Sequence, residues 1–333
     1  MRRGPIACLL WPLSQIFAAL AALRRLLYRL QLLRSTRLPV AVIVVGNLFV
    51  GGTGKTPFTI WLVQQLRQAG LVPGVISRGH GASNASPRAV DADSLPAQVG
   101  DEPVLIAQRA HCPLVVGRNR PAAAAALLAL HPEVNVIVSD DGLQHYAMRR
   151  DIEIVLFDAR GAGNGWLLPA GPLREPLSRR RDFTVFNGAT PASDWPGTVQ
   201  QMRLLAQRAE RLTDAAQSMA LAALAKLSAA GGPGSRIAAA AGIGNPERFF
   251  GMLRDAGLSF EAIPLADHFD FSDFSFAAIA ADLILMTEKD AVKCRHIEAI
   301  RNDPRLWVVP VSADLDGALA QQIVEKLRGY PTA

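Results

Sequence analysis

The sequence predicts an α/β protein: a mostly parallel sheet with helices on both faces, a second, smaller α/β unit behind it, and one apolar helix in front. Three observations predict this. Short, near-continuous apolar runs (Val40–Val45, Val72–Ile76, Leu114–Val116, Val134–Val138 and Ile152–Phe157) alternate with helical stretches such as Thr56–Ala69 and Arg120–Leu130. That is the pattern of strands covered on both faces and joined by crossovers. The first run leads through a glycine-rich turn into a helix, VVGNLFVGGTGKTPFTIWLVQQL at 44–66. The alternation lapses across residues 160–182, rich in Gly, Pro and Arg, and restarts beyond 190 with Arg236–Gly242, Pro246–Ala256, Leu283–Thr287, Trp307–Val311 and Leu319–Leu327. The expected division is 1–37 for the leading helix, 38–190 for the core and 191–333 for the smaller unit.

The leading segment, MRRGPIACLLWPLSQIFAALAALRRLLYRLQLLRSTR, is uncharged from Gly4 to Leu23 and then carries Arg24, Arg25, Arg29, Arg34 and Arg37. A helix lying in a membrane interface fits the apolar run followed by an arginine cluster. A helix packed on its own domain, a spanning helix interrupted by Pro12, Ser14 and Gln15, and a signal peptide are the alternatives. The phosphate loop argues against export, because its nucleotide is abundant only in the cytosol.

Half of the 333 residues are apolar, the net charge is +6 and the pI is about 9.6. That balance suits a phosphorylated substrate, an anionic membrane surface or nucleic acid. Aromatic residues are few and not interleaved with basic ones, which argues against nucleic acid. Cys8, Cys112 and Cys294 form no C-x-x-C pair, which argues against a disulfide framework or zinc site and for a reducing compartment. No feature of the sequence calls for an obligate protein partner.

Chemistry concentrates in five stretches. Gly51-Gly52-Thr53-Gly54-Lys55-Thr56 follows a strand and opens a helix, the context of a phosphate loop. There backbone N–H groups and a helix N-terminus face a polyanion, Lys55 reaches the β- and γ-phosphates, and Thr56 ligates Mg²⁺. Phe49 stands where the common pattern has glycine. The strand before VSDDGLQH ends in Asp140-Asp141, suited to a magnesium shell, with Gln144 and His145 facing the same cleft and helix capping by Asp141 as the plain reading. Gly100-Asp101-Glu102-Pro103 is either an acidic helix start or the source of a general base. GNGWLLPAGPLREPLSRRRD at 163–182 offers Arg174 and Glu175 as a substrate-facing pair, and Arg179–Arg181 as either solvated or facing phospholipid. Asp267-His268 allows a carboxylate-tuned imidazole, although a lone histidine is more often structural. Thr287-Glu288-Lys289-Asp290 reads as a capped turn. Gly242-Ile243-Gly244-Asn245-Pro246 reads as a plain strand-to-helix turn, because Glu247-Arg248 follows where a dinucleotide loop needs its third glycine.

Taken in order, VGGTGKTP (50–57), SRGHG (77–81), GDEP (100–103), VGRNR (116–120), DDGLQH (140–145), GNGWLLPAGPLREP (163–176), ADHFDF (266–271) and TEKDAVKC (287–294) resemble the tetraacyldisaccharide 4′-kinases, the lipid A kinases. They span nearly the whole chain, and the family has the shortened GGTGKT form that Phe49 precedes. The resemblance implies a P-loop NTPase-like core joined to a smaller α/β domain. It implies a lipid kinase at the cytoplasmic face of the bacterial inner membrane, using ATP and Mg²⁺. Its acceptor would be the 4′-hydroxyl of an acylated glucosamine disaccharide 1-phosphate. By the same resemblance Lys55 and Thr56 are the phosphate-loop residues, Asp101 the catalytic base and His268 its assistant. Asp140 and Asp141 form the acidic pair near the metal, with Glu102, Arg120, Gln144, His145, Arg174 and Glu175 near the substrate. A membrane-bound nucleotide switch is the rival from another class; it has no use for the long GNGWLLPAGPLREP loop. A soluble small-molecule kinase is the second rival.

Overall fold

The computed structural model of the chain describes residues 3–79, 86–190, 194–232 and 234–329; His80 and Gly81 of the SRGHG stretch lie outside them. The strands are β1 (Ala41–Asn47), β2 (Pro73–Ser77), β3 (Arg88–Val90), β4 (Leu114–Val116), β5 (Val136–Asp140), β6 (Ile152–Asp158), β7 (Phe183–Asn187), β8 (Thr198–Leu205), β9 (Arg208–Arg211), β10 (Ser218–Ala220), β11 (Ile237–Ala241), β12 (Glu261–Pro264), β13 (Leu283–Thr287), β14 (Leu306–Val309) and β15 (Ser312–Leu315). The larger sheet runs β15-β8-β7-β6-β1-β5-β2-β4-β3, with antiparallel pairing only at its two edges. The smaller runs β10-β9-β14-β13-β11-β12 and is parallel through its last four strands.

β1 lies at the centre, parallel to β5 on one side and β6 on the other. Its residues Val42 to Val45 are buried on both faces, as an unbroken apolar run requires. One face packs on helix Lys55–Gln68, through Phe58, Leu62 and Leu66, and on helix Gly317–Arg328, through Ile323. The other packs on helix Arg120–Leu130 through Ala123, Ala124 and Leu127. β8, β15 and helix Gly317–Arg328 therefore sit with the larger sheet, although the sequence placed everything beyond 190 in the smaller unit. The chain enters the second sheet at β9 and returns after β14.

The leading helix is Pro5–Arg29, continuous through Pro12. At 1.5 Å per residue it is about 37 Å long, enough to cross a hydrocarbon core, so length alone does not separate spanning from lying flat. Only one face of it meets the domain: Ser14 is its only buried residue, Leu10, Phe17, Ala21 and Tyr28 are half-buried, and Ile6, Leu9, Leu13, Ile16, Leu20 and Leu23 are all exposed. Burial of such side chains stabilises by roughly 1.5–3 kcal/mol each, so on the order of 10 kcal/mol is left unrealised on this helix in water.

What the helix does touch is the loop 163–176. Ser14 Oγ donates to Leu167 O at 2.8 Å, Arg3 Nε donates to Asn164 O at 3.3 Å, and the Arg3 guanidinium stands 4.9 Å over the Trp166 ring. The loop in turn pairs with the strand end that leads into the phosphate loop. Val50 N–H donates to Pro172 O at 3.0 Å and Arg174 N–H to Leu48 O at 2.7 Å. Phe49 lies between them, 2% exposed, with the Arg160 guanidinium 4.2 Å from its ring centre. A Cβ on Gly163 would fall 2.6 Å from Pro172 and 3.1 Å from Phe49, and φ at Gly163 is +63°, so only glycine allows this approach. Phe49 is thus the anchor for the loop. Phe49→Ala is expected to lower stability by about 3–5 kcal/mol in urea denaturation; a loss under about 1 kcal/mol would mean the loop is held elsewhere.

Candidate active site

A cleft of about 420 Å³ lies between the carboxyl ends of the two sheets, where open parallel sheets bind ligands. Gly51–Thr56, Asp101, Glu102, Asp140, Asp141 and Arg174 line it from the larger unit, and Arg248, Asp267, His268 and Lys289 from the smaller.

The phosphate loop is held from below by two asparagines. Asn47 Nδ2 donates to Phe49 O and Gly51 O at 2.6 and 2.8 Å, and its Oδ1 accepts from Lys55 Nζ at 3.2 Å. Asn187 Nδ2 donates to Thr53 O at 3.2 Å. Gly54 has φ +93°, and a Cβ there would fall 2.7 Å from the Asn187 amide, so the turn into helix Lys55–Gln68 admits only glycine. The helix N-terminus is left facing the cleft.

The two aspartates divide their work. Asp140 ends β5 and is 1% exposed; Thr59 Oγ1 and Ser77 Oγ donate to its carboxylate at 3.4 and 3.1 Å. Burial, then the nearby Glu102 and Asp141 charges, push its pKa up to about 6. Asp141 turns outward with φ +47° and lies 3.7 Å from Lys55 Nζ and 3.5 Å from Arg174 Nη1. Burial would raise Asp141, but Lys55, Arg174 and Arg120 outweigh it and hold it below the usual carboxylate range. Glu102 is likewise held low, by Lys289 and Lys55 against burial.

Asp101 starts helix Asp101–Ala110 and is 5% exposed; its Oδ1 accepts from Glu102 N–H at 2.9 Å and its Oδ2 lies 3.0 Å from His268 Nδ1. His268 comes from the other unit, on a turn at φ +56°. An edge-to-face cluster of Phe269, Phe271 and Phe274 anchors that turn, and Lys293 Nζ donates to Phe269 O at 2.8 Å.

Other expected site residues lie elsewhere. Arg120 is 1% exposed and donates to Gly117 O at 2.7 Å and Asp140 O at 3.1 Å; it clamps two strand ends rather than facing the cleft, and burial lowers its pKa to about 10. Glu175 is 3% exposed and accepts from Arg25, Gln144, Tyr146 and Arg179, joining the leading helix to the core. Gln144 is engaged there. His145 sits beside the Arg120 and Arg78 charges, and burial with those charges lowers it to about 4. The acidic cluster, the phosphate loop, Arg174 and the Asp101–His268 pair are therefore brought together, whereas Arg120, Gln144, His145 and Glu175 frame them.

Sequence reasoning missed four contributors. Arg248 spans the cleft to Asp158 at 2.7 Å, where Arg160 also bonds at 2.7 Å, and both guanidiniums reach toward Gly52 O. Arg248 stands next to the residue that disqualified GIGNPE as a dinucleotide loop. Asp158 had a signal, a carboxylate ending a buried strand. Lys289 reaches Glu102 Oε1 at 3.2 Å, although Thr287 and Asp290 of the same stretch do form the expected cap.

The sequence model of a family described as "Tetraacyldisaccharide-1-P 4'-kinase" matches residues 6–328. The chain belongs to that family. It is 64% identical over 332 residues to the "Tetraacyldisaccharide 4'-kinase" of Janthinobacterium sp. (strain Marseille), covering 100% of this chain and 95% of that protein. It is 63% identical over 338 residues to the protein of the same name from Herminiimonas arsenicoxydans, with the same coverage. Its fold matches the crystal structure of "apo" form LpxK from Aquifex aeolicus in complex with ATP, with TM-score 0.78, 26% identity, and 97% and 99% of the two chains covered.

The tetraacyldisaccharide 4′-kinases are ATP-dependent, and the donors here fit a magnesium ion. Among the described residues no group of three His, Cys, Asp or Glu side chains could hold a metal alone, whereas Mg²⁺ is ordinarily held by one or two carboxylates plus substrate phosphates. The raised Asp140 carboxyl, crowded by Glu102 and Asp141, marks negative charge that a divalent cation would relieve. Because its folded-state pKa lies above the ordinary aspartate value of 3.8, the native state binds more protons than the unfolded state between those two values. Stability from this group is present below the unfolded pKa and lost as pH rises through about 6. In metal-free protein, Asp140→Asn should therefore gain stability over wild type between pH 4 and 7, by about 1–3 kcal/mol at the upper end. Thermal denaturation across that range measures it, and an unchanged difference would refute the assignment.

Proposed function

We infer that the chain transfers the γ-phosphate of ATP to the 4′-hydroxyl of a tetraacyldisaccharide 1-phosphate in lipid A biosynthesis. The observation that carries the reading is a phosphate loop with Lys55 in one cleft with a buried carboxylate–imidazole pair, Asp101 and His268. In the proposed mechanism, Gly51–Thr56 and Lys55 bind the ATP phosphates. Thr56, Asp140 and Asp141 hold Mg²⁺, which supplies charge neutralisation at the phosphates when bound. Asp101 accepts the proton of the 4′-hydroxyl as that oxygen bonds to the γ-phosphorus, the bond to the β-phosphate oxygen breaks, and ADP leaves. Arg174, fixed by its backbone to Leu48 O, is placed to meet the transferring group.

The substrate is a membrane lipid, and we assign the leading helix to the inner-membrane surface on the cytoplasmic side, where ATP is available. Two features support this: the exposed apolar run of the helix, and a cavity of about 1270 Å³ at its end whose lining includes the exposed Arg29, Arg34, Arg149 and Arg180, whereas Arg179 and Arg181 are turned inward. Such a basic surface attracts anionic headgroups. We further propose a kinase core of 38–205 with 312–328, and a mobile second unit of 206–311 that delivers His268.

Incubation with γ-labelled ATP, Mg²⁺ and tetraacyldisaccharide 1-phosphate in mixed micelles should label the lipid, and Lys55→Ala and Asp101→Ala should each cut that transfer by at least about 100-fold. ATP hydrolysis without labelled lipid would overturn the reading. Deleting residues 3–30 should release the protein from vesicles in a flotation assay; persistent flotation would place membrane contact elsewhere.

A further inference from the structure

Lys289 has no task in the mechanism above, yet it contacts more of the catalytic pair than any other cation in the cleft. It is the second residue of helix Glu288–Cys294, and that helix start is fixed. Thr287 Oγ1 accepts from Asp290 N–H, and the Asp290 carboxylate accepts from Gly242 N–H at 2.9 Å and Thr287 Oγ1 at 2.7 Å. From this position the ammonium lies 3.2 Å from Glu102 Oε1, 3.4 Å from His268 Nε2, 3.7 Å from Asp267 Oδ1 and 4.0 Å from Asp101 Oδ2.

A lysine ammonium has three donors and no acceptor. An imidazole nitrogen facing it at 3.4 Å must therefore accept, so the proton of the neutral ring is on Nδ1. Nδ1 is the atom 3.0 Å from Asp101 Oδ2, and it donates there. Asp101 then receives one N–H on each oxygen, from Glu102 and from His268, which fixes the direction of its carboxylate. The opposite tautomer would turn the Nδ1 lone pair toward the carboxylate and leave Nε2–H to Asp267 Oδ1, 3.9 Å away.

We propose that Lys289 is a positioning residue: its ammonium fixes the Nδ1–H tautomer of His268 and so seats that ring against Asp101. The proposal deepens the kinase reading and rests on it for the role of Asp101. Among the described residues, Asp101 from helix Asp101–Ala110, Asp267 from its own turn and Lys289 face the ring, with Glu102 behind the ammonium; Glu288 is committed to Arg109. Burial alone would lower the Lys289 ammonium, but Glu102, Asp101 and Asp267 outweigh it and hold its pKa above the ordinary lysine range, so it stays charged. A neutral side chain in its place would no longer oppose a proton on Nε2.

The test uses full-length protein with ¹⁵N-labelled histidine. Imidazole ¹⁵N–¹H spectra at pH 7 should show His268 as neutral Nδ1–H in wild type, and as imidazolium or Nε2–H in Lys289→Met. The same variant should lose about 10- to 100-fold in kcat for lipid phosphorylation with its KM for ATP nearly unchanged, and Lys289→Arg, also donor-only, should recover part of the rate. An unaltered His268 spectrum in Lys289→Met overturns the proposal, as does a loss confined to KM for ATP. If wild type labels no lipid, the kinase reading fails while the spectra still decide the role of Lys289.

Discussion

The parallel register of β1 against β5 sets Val45 opposite Asp140, and the site depends on that alignment. It places the last turn before the phosphate loop beside the acidic pair, so that Lys55 and Asp141 meet from adjacent strand ends. A carboxylate buried at that point must be hydrogen-bonded or neutralised. Thr59 from the phosphate-loop helix and Ser77 from β2 do the first, and Arg120 ties the Asp140 carbonyl to the end of β4. Three strand ends and two helices thus converge on one aspartate. What remains uncompensated, the pressure of Glu102 and Asp141 on Asp140, faces the cleft, where phosphates and a divalent cation would meet it.

The second constraint is mechanical. A kinase acting on a lipid must hold a water-soluble nucleotide at a fixed place relative to a bilayer. Here a single loop, 163–176, touches both sides: its backbone pairs with Leu48 and Val50 at the phosphate loop, and its Asn164, Trp166, Leu167 and Glu175 receive the leading helix. The contacts to the helix are polar and few, while its apolar side chains are left outward. Phe49 belongs to this arrangement. Glycine at 49 would keep the common phosphate-loop pattern but would leave the loop without its anchor.

Much of this was legible in the sequence because it rests on apolar continuity and on glycine. Runs such as Val42–Val45 and Ile152–Phe157 can only be strands buried on both faces, and GGTGKT after such a run can only be a tight turn onto a helix. β8 and β15 were not legible: half-exposed outer strands such as TVQQMRLL carry no unbroken apolar run, so their return to the larger sheet had no periodic signal. Side-chain direction was the other loss. Arg120 and Arg174 look alike in sequence, yet Arg120 turns back onto two carbonyls because it opens a helix wedged between strand ends, whereas Arg174 is aimed by its backbone bond to Leu48. Glu175 was expected at the substrate, but four donors from three segments consume it.

Ion pairs cross between the two units, Arg248 with Asp158, Lys289 with Glu102, His268 with Asp101 and Arg109 with Glu288, and beside them Val292 of helix Glu288–Cys294 is buried in the core cluster of the larger unit. Partly exposed pairs of this kind contribute little net stability, about 0–1 kcal/mol each. The ion pairs therefore set the register of the two units, and burial of Val292 adds to their adhesion. The same pairs join Asp101 to groups of the other unit. Asp101 is nearly buried in one, and its imidazole and ammonium partners arrive from the other. Asp101 thus meets its imidazole and ammonium partners only where the two units touch.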